Sequence, residues 1–231
     1  MGGVARQQLC DEYLAAVVAD LLAHDERVRG LDLTGEVDGG VVHLRGRVDR
    51  ASQLDTVRVL VGRLAGVHAV WDRVRVAGRN PVVLDLGCGD QRQYPTNIGV
   101  DRRRTPSVAA IADVSHPLPF RDGSVDRVFA VHVLEHLIDF LPLVAECHRV
   151  LRPGGVLHVL SPWWKHVNAV ADPTHVRLFD TQTVKGICSG PDRPTWFPLH
   201  VSRDESTVFA DLTPAPPGEG PDDRHLARFF D

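Results

Sequence analysis

The chain has 231 residues, of which 43% are hydrophobic, so it can bury the core of one large domain or of two small ones. Its net charge of −4 argues against a nucleic-acid partner, and no apolar run approaches the roughly 18 residues of a membrane span. The first residues lack the apolar core of a signal peptide and the four cysteines have no CxxC spacing, so we expect a reducing, cytoplasmic location without disulfides.

The first 78 residues predict a small α+β unit. Leucine and valine recur at helical spacing over residues 7–24, and alternation at residues 31–33 predicts a strand. The turn Asp38-Gly39-Gly40 should lead into a second strand at residues 41–44. A second helix, with Asp49 as its N-cap, should end at Gly66, and a last strand should cover residues 70–76.

This order of elements, with GGVVHLRGRV at residues 39–48 and GVHAV at residues 66–70, resembles the BON domain. The resemblance covers residues 8–77 and implies a binding role, not chemistry. We therefore expect residues 1–78 to form a BON-like α+β (αββαβ) interaction domain. A docking module for a protein partner or for a second copy of the chain is favoured over a lipid binder.

A second pattern begins at residue 82, where an apolar run leads to Asp85 and the loop Gly87-Cys88-Gly89. The next apolar run, residues 98–100, ends in Asp101. In an open parallel sheet, ligands bind at the carboxyl ends of the strands, and glycines there let the backbone approach the ligand. A carboxylate ending the next strand can accept hydrogen bonds from both ribose hydroxyls, so the pattern predicts a nucleoside site. The third glycine of a dinucleotide fingerprint is absent, which disfavours NAD.

Further motifs follow in sequence. Asp113 comes after a short apolar run, and then come PLPF (117–120), DGSVDRV (122–128), HVLEH (132–136) and HRVLRPGG (148–155). Together these motifs resemble the class I S-adenosylmethionine-dependent methyltransferases of the methyltransferase type 11 kind. The resemblance implies an α/β domain at residues 79–213, a Rossmann-like, mostly parallel sheet closed by an antiparallel hairpin at residues 196–202 and 207–212. Residues 214–231 read as a Pro/Gly-rich tail whose end could dock back.

The first two crossovers are short. Residues 90–97 and 102–107 each contain a proline, and neither segment can hold a normal crossover helix. Parallel sheets are normally covered on both faces, so we expect the BON-like module or a second subunit to cover the exposed strands. Farther on, Asp139 should cap a helix with Pro142 in its first turn, and Asp180 should cap a short helix that ends at residue 187. Residues 153–155 should turn the chain into a strand.

The resemblance also implies how the chain binds S-adenosylmethionine. The glycine loop would cradle the methionine part, Asp101 would hold the ribose, and Asp113 would lie at the adenine edge. The expected cofactor-binding residues are Asp85, Gly87, Cys88, Gly89, Asp101, Asp113, Val114 and His132.

His132 and His175 are the candidate catalytic residues. His132 follows a predicted strand at the position that faces the methyl group in the usual fold, and a histidine can act as a general base near neutral pH. The alternative is that His132 only shapes the pocket. His175 lies in residues 172–179, which resemble a lid of related methyltransferases. Nearby, Trp163 and Trp164 could stack on an acceptor or pack against the lid, and Arg177 could bind an acidic group or form an ion pair.

The same HVLEH motif raises the question of a metal, since His132 and His136 are four residues apart. This motif is a common form in the family with no metal implied, and the sequence places no third ligand. We therefore expect no metal, with Glu135 accepting hydrogen bonds from its neighbouring loop.

The sequence thus predicts a methyltransferase that moves a methyl group from S-adenosylmethionine to an unidentified small-molecule acceptor. The alternative is a non-catalytic binding protein that keeps the fold and uses the BON-like domain to dock a partner. The shortened glycine loop and the fused interaction module motivate that alternative.

Overall fold

The computed structural model describes residues 2–190 and 193–230, with side chains from residue 5 onward. The chain divides into two compact units, Met1–Pro81 and Val82–Asp231. The division falls three residues after the boundary expected from the sequence. In the part of the chain described, no helix combines the length and the apolar character that a membrane crossing requires.

The first unit packs two helices against a four-stranded sheet. Its elements are α1 (Gly2–His24), β1 (Asp32–Asp38), β2 (Val41–Val48), α2 (Ala51–Gly62), β3 (Ala69–Asp72) and β4 (Arg75–Val76). Strand β2 pairs with β1 in antiparallel fashion and with β3 and β4 in parallel. Val18, Val42, Val57 and Val61 are fully buried in the core. The predicted αββαβ order is confirmed, with the last strand interrupted between β3 and β4.

In the first unit, one turn forms as predicted and one predicted N-cap is wrong. Gly39 and Gly40 form the predicted turn with φ of 56° and 74°, and the Asp11 carboxylate accepts hydrogen bonds from both of their backbone nitrogens at 2.9 Å. The prediction of Asp49 as N-cap is wrong, since α2 has Arg50 at that position. The Gln53 side chain accepts hydrogen bonds from the backbone nitrogens of Asp49 and Arg50, which fixes the chain at the start of α2.

The second unit is built on one seven-stranded sheet. Its strands are β5 (Val83–Leu86), β6 (Ile98–Asp101), β7 (Ala110–Ile111), β8 (Val125–Val131), β9 (Leu151–Pro162), β10 (Trp196–Arg203) and β11 (Thr207–Pro214). The order across the sheet is β10-β11-β9-β8-β5-β6-β7. Strands β5 to β9 run parallel, whereas β11 and β10 add an antiparallel hairpin. The predicted Rossmann-like fold is confirmed.

Between β5 and β8 the chain, which is described throughout this stretch, forms no helix. The prediction that the first two crossovers hold no helix is therefore confirmed, and the connection from β7 to β8 also holds none. Part of the missing cover comes from the first connection itself. Tyr94 is buried and meets Phe129 of β8 edge-on at 5.7 Å, and Phe129 stacks on His158 of β9 at 4.6 Å.

The helices of the second unit follow β8. They are a 3-10 turn (Leu134–His136), α3 (Leu141–Val150), α4 (Asn168–Ala171), α5 (Thr181–Cys188) and α6 (Asp223–Phe230). Pro142 lies in the first turn of α3 as predicted, but the N-cap is Phe140 and not Asp139. Asp180 caps α5 as predicted and accepts a hydrogen bond from the Gln182 nitrogen at 3.1 Å.

One further segment differs from the sequence-based prediction, and the end of the chain docks back as the sequence allowed. Residues 153–155 do not precede a strand but lie inside β9, where a bulge in the pairing with β8 accommodates them. The tail is ordered beyond residue 214, since α6 docks back and its Leu226 is 3% exposed within the core.

A partly buried polar network holds residues 118–120 onto α3, and it generates a pH-dependent prediction. The Glu146 carboxylate accepts hydrogen bonds from the Leu118 nitrogen (2.7 Å) and from Arg149 (2.6 and 2.8 Å), and the Arg149 bonds lower the pKa of Glu146. A lowered folded-state pKa stabilises the fold above the unfolded value of about 4.3, and this contribution is lost as the pH falls through the folded pKa.

Glu146→Gln should therefore cost about 1 kcal/mol of unfolding free energy at pH 7 and progressively less toward pH 3. Urea titrations at several pH values measure this difference. Glu205→Gln, in the exposed turn between β10 and β11, is the matched control. A cost for Glu146→Gln that does not change with pH would contradict the ionic origin.

Candidate active site

A cavity of about 430 Å³ opens at the carboxyl ends of β5, β6 and β8. This is the edge of the sheet at which the sequence predicted a ligand. Of the predicted site residues, Gly87, Asp101, Asp113, Val114 and His132 line it. Seven further residues complete the lining: Arg102, Arg103, Ala112, Val133, His136, Leu137 and Thr174.

The glycine loop brings bare backbone to the cavity. Gly87 and Gly89 have left-handed φ values of 58° and 55°. A Cβ at Gly87 would lie 2.9 Å from Cγ2 of Val133, and a Cβ at Gly89 would lie 3.0 Å from a guanidinium nitrogen of Arg103. Both the backbone angle and the available space therefore favour glycine at these positions.

Asp101 is a buried carboxylate at the end of β6. Its Oδ2 accepts a hydrogen bond from the Gly89 nitrogen at 2.9 Å, and its Oδ1 accepts one from the Arg103 nitrogen at 2.8 Å. Burial disfavours the charge, but these bonds outweigh it and lower the pKa of Asp101. A carboxylate offers about four acceptor positions, so about two remain for a ligand.

Asp113 lies on the exposed side of the cavity. Its carboxylate accepts hydrogen bonds from the Ser115 hydroxyl (2.6 Å) and nitrogen (2.9 Å), which lower its pKa. Val114 follows it on the cavity wall. An acid and an apolar side chain thus adjoin each other beyond Asp101.

Three predicted cofactor residues do not line this cavity. The Asp85 carboxylate is buried and accepts hydrogen bonds from the Gln93 nitrogen and, at 3.3 Å, from the Asn97 amide. Burial raises the pKa of Asp85 and also that of the Cys88 thiol. The structure thus places Asp85, Cys88 and Gly89 directly behind the lining, where they shape the loop.

Sequence reasoning missed the residues that tie the short connections together. The Thr105 hydroxyl donates to the Gly89 carbonyl at 2.7 Å, and the Ser107 hydroxyl donates to the Asp90 carbonyl at 2.6 Å. Gly99 is also required, because a Cβ there would lie 2.1 Å from the Ser107 carbonyl oxygen. These partners are distant in sequence, so local patterns do not reveal them.

His132 is held by a buried acid. Its Nδ1 lies 3.0 Å from Oε1 of Glu135, whose Oε2 accepts a hydrogen bond from the Ser161 hydroxyl at 2.6 Å. Burial disfavours the charge on Glu135, but these two hydrogen bonds outweigh it and lower its pKa. His132 has a φ of 55°, a strained conformation for a residue with a side chain, and its ring is half-exposed.

His175 approaches the cavity from the lid segment but does not line it. Its side chain is 8% exposed, and its ring meets that of His136 at a centroid distance of 4.8 Å. Its Nε2 lies 3.8 Å from the Asp172 carboxylate, and its buried Nδ1 has no hydrogen-bond partner among the described residues. The backbone nitrogens of Val176 and Arg177 donate to the Glu135 carbonyl, which fixes this segment.

Two of the remaining candidates near the lid, Trp163 and Arg177, bind other parts of the protein. Trp163 donates its indole N–H to Asp180 at 2.9 Å and lies under the Arg203 guanidinium. Arg177 donates to the Ile138 carbonyl through its guanidinium. Trp164 is 45% exposed and remains a candidate for stacking on an acceptor.

A larger groove, of about 590 Å³, lies in the first unit between α1 and β1. Its polar lining consists of carboxylates and amides, among them Asp11, Glu12 and Glu36. It contains no histidine or thiol, so the groups suited to chemistry are those of the cavity in the second unit.

The cavity fits S-adenosylmethionine by the chemistry of its walls. Gly87 presents backbone where a side chain would intrude, Asp101 has acceptor positions left for two ribose hydroxyls, and Val114 offers an apolar contact for a base. The volume lies within the roughly 300–1,000 Å³ typical of small-molecule sites.

Comparisons with known proteins match each of the two units to a family. Residues 84–159 match the methyltransferase domain family, and residues 11–78 match the BON domain family. A protein of Mycolicibacterium smegmatis named "Probable S-adenosylmethionine-dependent methyltransferase" is 40% identical over 119 residues, which cover 41% of this chain and 43% of that protein. Demethylmenaquinone methyltransferase of Beutenbergia cavernae is 30% identical over 150 residues, covering 55% of this chain and 62% of that enzyme.

Among solved structures, an S-adenosylmethionine-dependent methyltransferase from Mesorhizobium loti has 15% identity and a TM-score of 0.43, covering 58% of this chain and 90% of its own. The chain spans only 30% to 43% of the length of the first curated relatives that it matches. The motifs, the strand order and the family matches nevertheless agree on one assignment. The chain thus carries a BON domain followed by a methyltransferase domain, and its likeness to S-adenosylmethionine-dependent methyltransferases implies S-adenosylmethionine as the cofactor.

Proposed function

We propose that this chain transfers a methyl group from S-adenosylmethionine to a small-molecule acceptor bound in the cavity beside His132. The observation that carries the proposal is the meeting of Gly87, Asp101 and His132 on the wall of one cavity. When bound there, the cofactor supplies a methyl group on a positively charged sulfur. Most of the rate of such a transfer comes from alignment of the reacting atoms, which a fixed pocket provides.

Cofactor binding is assigned to the residues around the glycine loop. The remaining acceptor positions of Asp101 bind the ribose hydroxyls, and the backbone at Gly87 lies against the methionine part. Asp113 and Val114 contact the adenine. Asp85, Cys88 and Gly89 support this arrangement by holding the loop in place.

His132 is proposed as the general base. A carboxylate can only accept hydrogen bonds, so the contact with Glu135 assigns the proton of the neutral ring to Nδ1 and leaves Nε2 as an acceptor. Because the half-exposed ring lines the cavity, Nε2 can take the proton of an acceptor hydroxyl or amine. His175, whose ring is buried against His136, is proposed as a residue of the acceptor side.

We propose that the BON domain docks a protein partner or a second copy of the chain. The support is its acidic groove and the exposed apolar side chains of Leu9 and Tyr13 on α1. Analytical ultracentrifugation of the full chain at several concentrations distinguishes self-association from a monomer that awaits a partner.

A cytoplasmic location is part of the same proposal. All four cysteines are free, and three of them are buried. Burial raises the pKa of Cys188 to about 12, so this thiol stays protonated at neutral pH. Free thiols of this kind are typical of proteins in a reducing compartment.

Calorimetric titration with S-adenosylmethionine and S-adenosylhomocysteine tests the cofactor site, with NAD as the control ligand. We expect saturable binding of the first two and none of NAD. Asp101→Ala should weaken binding at least about 100-fold, because it removes two charge-assisted hydrogen bonds worth about 1.5–3 kcal/mol each. Glu205→Ala, in the exposed turn between β10 and β11, should bind as the wild type does.

Thermal unfolding of both variants separates lost binding from lost folding, since Asp101 also holds the Gly89 backbone. Absence of saturable binding at millimolar ligand, which corresponds to an affinity weaker than about −4 kcal/mol, would contradict the proposal. That outcome would support the non-catalytic alternative.

Gly87→Ala tests the bare backbone of the loop, and Gly123→Ala is its matched control. Both glycines have a φ of 58°, but a Cβ at Gly123 meets nothing within 4 Å, whereas one at Gly87 lies 2.9 Å from Val133. Each variant should lose about 1–2 kcal/mol of unfolding free energy from the backbone angle, and Gly87→Ala should lose more. Only Gly87→Ala should weaken S-adenosylhomocysteine binding. Equal effects of both variants on stability and binding would show that the contact with Val133 is unimportant.

A further inference from the structure

Three potential metal ligands meet at the rim of the cavity. Glu135 and His136 belong to the 3-10 turn after β8, and His175 comes from the lid segment. Each offers one ligand atom, and the three atoms all lie within 4.8 Å of one another. The sequence raised His132 and His136 as a pair and placed no third ligand, whereas the fold brings Glu135, His136 and His175 together.

One side chain of this cluster has a buried nitrogen without a hydrogen-bond partner in the part of the chain described. The Nδ1 of His175 is buried and has no hydrogen-bond partner among the described residues, although the side chain is only 8% exposed. A buried polar atom without a partner is destabilising, so its presence calls for a physical reason. A bound cation would satisfy it.

The other two residues are oriented as metal ligands usually are. His136 directs its Nδ1 to the hydroxyl and carbonyl oxygens of Thr174, at 3.0 and 3.3 Å, which leaves its Nε2 available. The Glu135 carboxylate is positioned by His132 and Ser161 and retains about two acceptor positions. Such outer contacts fix the tautomer and direction of metal ligands in known sites.

We propose that Glu135, His136 and His175 bind a divalent cation of the zinc class. Two imidazoles and one carboxylate are a donor set that suits zinc, whereas magnesium and calcium prefer oxygen ligands alone. Zinc–ligand bonds of about 2.0–2.1 Å place tetrahedral ligand atoms roughly 3.4 Å apart, so modest side-chain rotations would close the cluster.

The position also suggests what the ion would do. His136 lines the cavity, so an ion bound to it would keep a coordination position open toward the acceptor. There it would hold an oxygen of the acceptor and favour the deprotonated form of a hydroxyl group. This role rests on the proposed methyl transfer, whereas the metal site itself does not.

Zinc binding to the tag-free, chelator-treated full chain tests the site. We expect one Zn²⁺ per chain by calorimetry, no comparable binding of Mg²⁺, and a visible Co²⁺ absorption typical of a low-coordinate N/O site. His136→Gln and His175→Gln should each weaken Zn²⁺ binding at least tenfold. His24→Gln, an exposed histidine on α1, should leave it unchanged.

Circular dichroism establishes that the variants are folded, and His136, being exposed, provides a variant that does not disturb the core. Binding that is absent in the wild type, or equal in all three variants, would overturn the site. S-adenosylhomocysteine titrations on the same samples distinguish the two proposals. Zinc binding without cofactor binding would overturn the proposed function alone, and cofactor binding without zinc binding would overturn this inference alone.

Discussion

The absence of helices between β5 and β8 is the constraint on which the site depends. A crossover helix satisfies its own backbone groups, but a short irregular loop must find partners elsewhere. Here the partners are side chains. Asp85 binds the first connection, Thr105 joins the second connection to the glycine loop, and Asp101 holds both at once. Asp85 and Asp101, at the ends of β5 and β6, therefore hold the loops in place in addition to any contact that they make with a ligand.

Much of the fold could be predicted because its signals are local. The glycine loop, Asp101 and the hydrophobic periodicity of the helices lie within short windows of sequence, and the structure places them as expected. The errors arose where a neighbour competed with the obvious residue. Gln53 fixes the chain at the start of α2 by accepting hydrogen bonds from the Asp49 and Arg50 nitrogens, and a bulge absorbs residues 153–155 into β9.

Only the part of the candidate site at the strand ends could be predicted from the sequence. Gly87, Asp101 and His132 follow strand ends, so strand order brings them together. Thr174 lies in residues 172–179, far from His136 in sequence, so no local pattern predicts their contact. Glu135 makes this meeting possible, since its side chain holds His132 and Ser161 while its carbonyl accepts the lid backbone. Truncating its side chain would release His132 and Ser161, whereas its backbone carbonyl would still hold Val176 and Arg177.

At His132 the left-handed backbone lowers the stability of the fold, whereas the side chain has a proposed role in the cavity. Any residue with a Cβ carries a penalty there of about 1–2 kcal/mol, and glycine avoids it. Replacement by glycine would thus relax the backbone while deleting the ring that lines the cavity. Selection for thermostability alone would drift toward glycine at residue 132, whereas selection for the proposed methyl transfer would retain the strained histidine.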